Sequence, residues 1–292
     1  MITRTFPRRM SAAIAALGLA GLALAGCANA SASTVDASCE PAHDGLTTYT
    51  AGTLTVGVPE NLPYTQTKGS DAAGLEIDLV KKIAAAECLN VAFVPITYAN
   101  GIPMISEQKK ADLITGGWYV TEARAEQVGF TAPTFYDSMG IISKDGLTTV
   151  TELESAGDVG SVAGFSWEAD MSAVLGDHLK TYPGTVETKQ DLLSGRIQAA
   201  LDGYAVATVA YAGTDYKVEP AEIDERIAIT TSMPIIAFPI AKENTALSDA
   251  ISEHIDQFRE DGTLEEVLAD YDLPASLLVP ADVAEASIPG QG

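Results

Sequence analysis

ADLITGGWYVTEARAEQVGFTAP, residues 111–133, is the stretch whose reading decides the fold. It opens as a short apolar strand over residues 112–115, and Gly116 and Gly117 then leave the backbone bare. Trp118 and Tyr119 follow, and Thr121-Glu122-Ala123-Arg124 opens a helix. Thr121 suits the N-cap, because its hydroxyl accepts a free N–H of the first turn. Glu122 in that turn suits the helix dipole. Arg124 offers a planar fork of donors to an oxyanion. A bare Gly-Gly backbone, a helix start and an arginine fork together predict a carboxylate site. For the T-x-x-R tetrad alone, a solvated helix start with a surface arginine is the plainer reading.

The pattern around the tetrad carries more. D-x-I-x-x-G, then T-E-x-R, then V-G-F-T-x-P resembles the signature of the family 3 bacterial extracellular solute-binding proteins, the periplasmic amino-acid receptors of ABC importers. The resemblance implies that Arg124 holds the ligand's α-carboxylate, with Thr121 and the backbone of Gly117. It extends over residues 52–272 through landmarks in the family's order. Gly74 to Leu79 resembles G-F-D-V-D-L, and Gly101-Ile102-Pro103 the end of W-x-x-L-I-P. Asp261-Gly262-Thr263-Leu264 resembles the D-G-T-L turn near the end of the domain. By the same resemblance Tyr64 and Tyr98 become aromatic walls of the ligand cleft, and Trp118, Tyr119 and Trp167 are further candidates. Gly164-Phe165-Ser166 stands where the family has G-[ST]-[ST], so Ser166 becomes a carboxylate ligand. By its residues alone Ser166 is a plain N-cap.

One landmark departs. Gly195 to Gly203, GRIQAALDG, resembles G-R-V-D-A-x-x-x-D, but the last Asp, which in the family takes the α-ammonium, falls on Gly203. Asp202 lies one residue early, and a one-residue step in a strand turns a side chain to the other face. Either a bulge beside Gly203 swings Asp202 into the cleft, or the carboxylate partner is absent and aromatic faces take over.

The flanks are read from residues. Arg4, Arg8 and Arg9 precede an apolar run over residues 11–26 that is shorter than the ~20 residues a spanning helix needs. It ends in Leu24-Ala25-Gly26-Cys27, which matches the lipobox of bacterial lipoproteins. The expectation is a signal peptide over 1–27, a lipid on Cys27 and a flexible tether over 28–39. Cys39 and Cys88 remain in an exported, oxidising setting, where a disulfide is the economical reading and two buried thiols the alternative.

The formal net charge of −23 argues against nucleic acid and against electrostatic docking on anionic lipid. The three histidines, at 43, 178 and 254, show no zinc-type spacing, so no metal site and no cofactor are expected. The expected fold is an α/β, two-lobed, type II periplasmic-binding-protein-like one with two hinge crossings and the cleft between lobes. Lobe 1 takes residues 40–142 and 238–273, and lobe 2 takes 145–235. Residues 274–292, rich in Pro, Ala and acid, are expected to be a frayed tail.

The function this implies is a lipid-anchored, extracytoplasmic, monomeric receptor that binds an amino acid or related small carboxylate and delivers it to a membrane permease. No enzymatic activity is expected of it. The rival is a dehydratase-type enzyme on the same fold, for which Glu60 or Asp202 would be nominated as the acid. A second rival is a sensor domain for a small carboxylate.

Overall fold

The structure is a computed structural model, and it describes residues 35–36 and 38–286. Two five-stranded sheets organise it. The first runs in the order Asn90–Pro95, Thr53–Val58, Leu113–Ile114, Pro239–Ile240, Gly129–Phe130. Its first three strands are parallel, and Pro239–Ile240 is antiparallel to both of its neighbours. Parallel strands need covered faces, and the sequence TLTVGV of Thr53–Val58 is buried from its second residue onward.

Helix Leu75–Ala86 makes the first crossover, with Leu75, Leu79 and Ile83 buried together on one face. It begins where only glycine fits. Gly74 has φ 126°, and a Cβ there would lie 2.2 Å from the Tyr64 carbonyl oxygen. Cys39 and Cys88 form a disulfide, Cα–Cα 5.8 Å, which ties the N-terminal arm to the end of this helix.

The second sheet runs Leu179–Tyr182, Val159–Val162, Ala199–Gly203, Met139–Ser143, Lys217–Pro220. The chain passes from the first sheet to the second through Phe135–Tyr136 and returns through Ile235–Ile236, and these two segments pair antiparallel. The apolar run over residues 233–241 forms two short strands, Ile235–Ile236 and Pro239–Ile240. Pro234 and Pro239 lack the N–H that a continuous ladder would use.

The end of the chain departs from the frayed tail expected for residues 274–292. Residues 274–286 are ordered against the crossing ribbon. Leu278 bridges Phe135, Val279 is fully buried among Ile235 and Ala284, and Arg259 Nε donates to the Val279 carbonyl at 2.9 Å. The cause is the apolar triplet Leu277-Leu278-Val279, whose burial outweighs the surrounding Pro, Ala and acid composition. Residues 287–292, and Cys27 with its preceding segment, lie outside the described residues.

Candidate functional site

A cleft with about 300 Å³ of space, its mouth included, lies between the two sheets. Three loops of the first sheet build one wall. The loop after Thr53–Val58 supplies Asn61 and Tyr64. The start of helix Tyr98–Ser106 supplies Tyr98, and the Gly-Gly stretch supplies Gly117, Tyr119 and Arg124. The opposite wall comes from the turn Phe165-Ser166-Trp167 and from Asp202, Gly203 and Val206 at the end of Ala199–Gly203. Asp137, on the first crossing, completes the lining.

Arg124 sits in the one-turn helix Glu122–Ala125, where the Thr121 hydroxyl accepts the Arg124 backbone N–H at 3.3 Å. Arg124 is 9% exposed, and its guanidinium spans the two walls. Nη1 donates to the Tyr119 carbonyl at 2.8 Å, and Nη2 donates to the Gly164 carbonyl at 3.1 Å. The Trp118 ring lies beneath it at 4.7 Å. No carboxylate of the described residues reaches ion-pairing distance of Arg124. Burial pulls its pKa down to about 10. The cleft therefore holds a buried cation whose protein partners are neutral.

The carboxylates on the other side are equally unpaired. Asp202 is 5% exposed, and its Oδ1 accepts the Gly203 N–H at 2.8 Å. Burial pushes it up to about 8, with a smaller push from Asp137. Asp137 is better held. Its Oδ1 accepts the Ala205 N–H at 3.1 Å, its Oδ2 accepts the Tyr64 hydroxyl at 3.3 Å, and burial raises it to about 6. Neither has a Lys, Arg or His within 4.0 Å among the described residues. Asn61 adds an acceptor. Its Nδ2 donates to the Gly116 carbonyl at 2.9 Å, which fixes the amide's orientation, and its buried Oδ1 has no protein partner.

Aromatic rings cross the gap. Tyr98 meets Phe165 edge-on at 4.7 Å, Phe165 meets Trp167 at 4.9 Å, and Trp167 lies 6.0 Å from Tyr119. The walls touch at Gly164, φ 89°, where a Cβ would lie 2.6 Å from the Ala99 nitrogen. The cleft is closed in this structure.

Of the residues singled out in the sequence, Arg124, Gly117, Tyr119, Ser166, Asp202, Tyr64, Tyr98 and Trp167 line the cleft, while Thr121 and Trp118 do not. Trp118 is 1% exposed and donates its indole N–H to Thr115. The Gly-Gly backbone is not bare: the Gly116 and Gly117 N–H groups donate to the carboxylate of Glu76, at 2.5 and 3.1 Å. Glu76 is fully buried, which raises it to about 7. Ser166 is not an N-cap, for the helix Glu168–Leu175 starts after Trp167, and the Glu168 side chain accepts the Gly164 N–H at 2.6 Å.

No bulge interrupts Ala199–Gly203. Its register against Met139–Ser143 is regular through Asp202 and Gly203. Asp202 borders the cleft from where it stands, and beyond it a second cavity opens between the walls, lined by Glu60, Gln66, Thr185 and Lys189. Gly203 does face the cleft, and the space before it is filled. A Cβ there would lie 2.7 Å from Asp137 Oδ2. The carboxylate missing at 203 is thus matched by Asp137, which arrives from the first crossing just before strand Met139–Ser143. Sequence reading missed Asp137, Asn61, Phe165 and Val206. The available signal for Asp137 was a carboxylate in an apolar run, Phe135 to Ile142, leading out of the V-G-F-T-x-P motif.

Residues 54–273 match the bacterial extracellular solute-binding proteins, family 3. The histidine-binding periplasmic protein of Salmonella typhimurium is 29% identical over 213 residues, covering 69% of this chain and 79% of that protein. An ancestral arginine-binding protein bound to arginine superimposes with a TM-score of 0.65 at 26% identity, over 75% of this chain and 98% of the other. An ABC uptake transporter substrate-binding protein from Streptococcus pneumoniae with bound histidine gives 0.66 at 23% identity, over 75% and 92%.

Proposed function

The chain belongs to the bacterial extracellular solute-binding proteins of family 3, and from that premise we propose that it is the receptor of an ABC importer for a cationic amino acid. The charge layout of the cleft carries this reading. One wall holds a buried guanidinium with only neutral partners, and the other side holds two buried carboxylates without a cation. Unpaired buried charges are costly. A zwitterion pairs Arg124 through its α-carboxylate and Asp137 through its α-ammonium. A side-chain cation then pairs Asp202, which stands at the passage into the outer cavity. Asn61 Oδ1 accepts a further N–H from the ligand, Ser166 gives a hydroxyl to the α-carboxylate, and the rings of Tyr64, Tyr98, Tyr119, Phe165 and Trp167 wall the rest. The names of the histidine-binding relative and of the arginine-bound structure point the same way.

The proposal includes a lipid on Cys27 that holds the domain at the outer face of the membrane as a monomer, where a permease reads the closed form. Two lobes, one built on each five-stranded sheet, would close on the ligand about the paired crossing strands; the first lobe then ends at the crossing Phe135–Tyr136 rather than at residue 142, because Met139–Ser143 is a strand of the second sheet.

A second reading has one observation in its favour. An Asp202 held at about 8 is protonated at neutral pH and would serve as the acid of a dehydratase. A thermal-shift screen of amino acids and other small carboxylates tests the receptor. Basic amino acids should raise the melting temperature most and be recovered unchanged by mass spectrometry. No stabilisation by any amino acid, or recovery of a dehydrated product, would overturn the reading.

A further inference from the structure

Away from the cleft, three potential metal ligands from distant parts of the chain meet at one point. His43 lies on the N-terminal arm. Glu87 caps the C-terminus of helix Leu75–Ala86, beside Cys88 of the disulfide, and His254 lies within helix Thr245–Glu260. His43 Nδ1 and His254 Nε2 both aim at the same Glu87 oxygen, Oε1, from 2.6 and 2.5 Å. The three ligand atoms all lie within 4.8 Å of one another. The Glu87 side chain is fully buried, that of His254 is 5% exposed and that of His43 is 26% exposed. Among the described residues no Lys or Arg reaches Glu87.

The protons on His43 can be followed from its partners. Its Nε2 stands 3.1 Å from Glu253 Oε2, and an ionised carboxylate only accepts, so Nε2 carries the hydrogen. In the neutral ring Nδ1 is then bare, and its lone pair faces that of Glu87 Oε1. Two lone pairs do not rest at that distance without a positive centre between them, which is either a second proton on the His43 ring or a metal ion. The other Glu87 oxygen is already used, since Oε2 accepts the His43 backbone N–H at 3.0 Å. Oε1 and the two imidazole nitrogens are what remain.

We propose that His43, Glu87 and His254 form a binding site for one divalent transition-metal ion, with zinc the best fit. Two imidazoles and a carboxylate suit zinc, whose sites with three protein ligands keep a fourth position open. Glu253 behind His43 is the outer carboxylate that fixes a ligating histidine's tautomer. The elements are held before any ion arrives. The disulfide fixes the arm, and the Ala42 N–H donates to the Ala86 carbonyl at 3.1 Å. A bound ion would fasten the arm to helices Leu75–Ala86 and Thr245–Glu260. None of these residues lines the ligand cleft, so the site is independent of the amino-acid reading. Sequence spacing could not reveal it, because no two of its ligands are neighbours in the chain.

The test is metal stoichiometry. Purified protein is stripped with a chelator, dialysed against micromolar zinc and analysed for bound metal. The expected result is close to one zinc per chain and a raised melting temperature. His43→Gln and His254→Gln should each lose the ion, and Glu253→Gln should weaken it about 10- to 100-fold. Amino-acid titrations of these variants should be unchanged. Cobalt added to the unaltered protein gives a readout that needs no variant: visible ligand-field bands of a low-coordinate nitrogen–oxygen site. Zinc retained equally by the wild type and the two histidine variants would mean scattered acidic binding and would overturn the proposal. So would the absence of retained zinc and of cobalt bands, which would leave a proton as the positive centre.

Discussion

Replacing Arg124 by Met separates binding from stability, because the guanidinium is buried against neutral groups only. Burial penalises its charged form and lowers its pKa from 12.5 to about 10. At about 1.36 kcal/mol per unit, the folded protein carries roughly 3 kcal/mol of unfavourable charge burial. Met fills a similar volume and removes that burden, but it leaves the Tyr119 and Gly164 carbonyls without their donor, at about 1–3 kcal/mol each. The two carbonyls together cost about 2–6 kcal/mol against the roughly 3 kcal/mol relieved, so urea unfolding of ligand-free Arg124→Met should fall between about 1 kcal/mol more stable and about 3 kcal/mol less stable than wild type. Binding has no such offset. Losing the partner of a buried, hydrogen-bonded charge costs about 2–5 kcal/mol, a weakening of roughly 30- to 5,000-fold. Isothermal calorimetry on the folded variant reads this directly. An affinity within threefold of wild type would refute the assignment of Arg124 to the carboxylate.

Other consequences can be checked beside it. Asp137→Asn should weaken every amino-acid ligand at least tenfold, whereas Asp202→Asn should spare neutral amino acids and cost only the cationic ones. Competition titrations that show the reverse order would exchange the two roles. The carboxyls of Asp202, Asp137 and Glu76, raised by burial to about 8, 6 and 7, hold protons more tightly folded than unfolded. Their contribution to the ligand-free protein is therefore fullest below about pH 4 and declines as pH rises through 8. A cationic ligand that pairs Asp202 must expel its proton, so calorimetry at pH 7 in Tris and in phosphate should report release of up to about one proton per ligand. Equal enthalpies in the two buffers would exclude that coupling. Cys27→Ser should release the protein from membranes or leave it unprocessed, and unchanged membrane fractionation would remove the lipid.

Much of the fold was legible because it rests on local chemistry. The β-branched run at Thr53–Val58, the buried face of Leu75–Ala86 and the apolar face of Thr245–Glu260 each declare themselves at close range. Arg124 was legible for the same reason, since cap, glycines and fork lie in one stretch. What stayed hidden depends on contacts between distant segments. Glu76 stands in the first turn of its own helix, where an acid suits the dipole, and only the folded chain shows it taking the Gly116 and Gly117 N–H groups. Gly203 looked like a lost carboxylate because strand parity says nothing of what arrives from another segment, and there Asp137 of the first crossing fills the space. Val279 sat in a stretch whose composition suggested fraying, and its burial depends on the crossing ribbon beneath it.

The central claim is that the cleft between the sheets binds a cationic amino acid through both of its α-groups. The most direct measurement is calorimetric titration of unfolded, washed and refolded protein with L-arginine, L-lysine and L-histidine, and with arginine lacking its α-carboxylate or its α-amino group. The account predicts one-to-one binding of at least one intact basic amino acid, and binding at least tenfold weaker when either α-group is removed. Equal affinity for the decarboxylated or deaminated compound, or no binding of any amino acid, would contradict it.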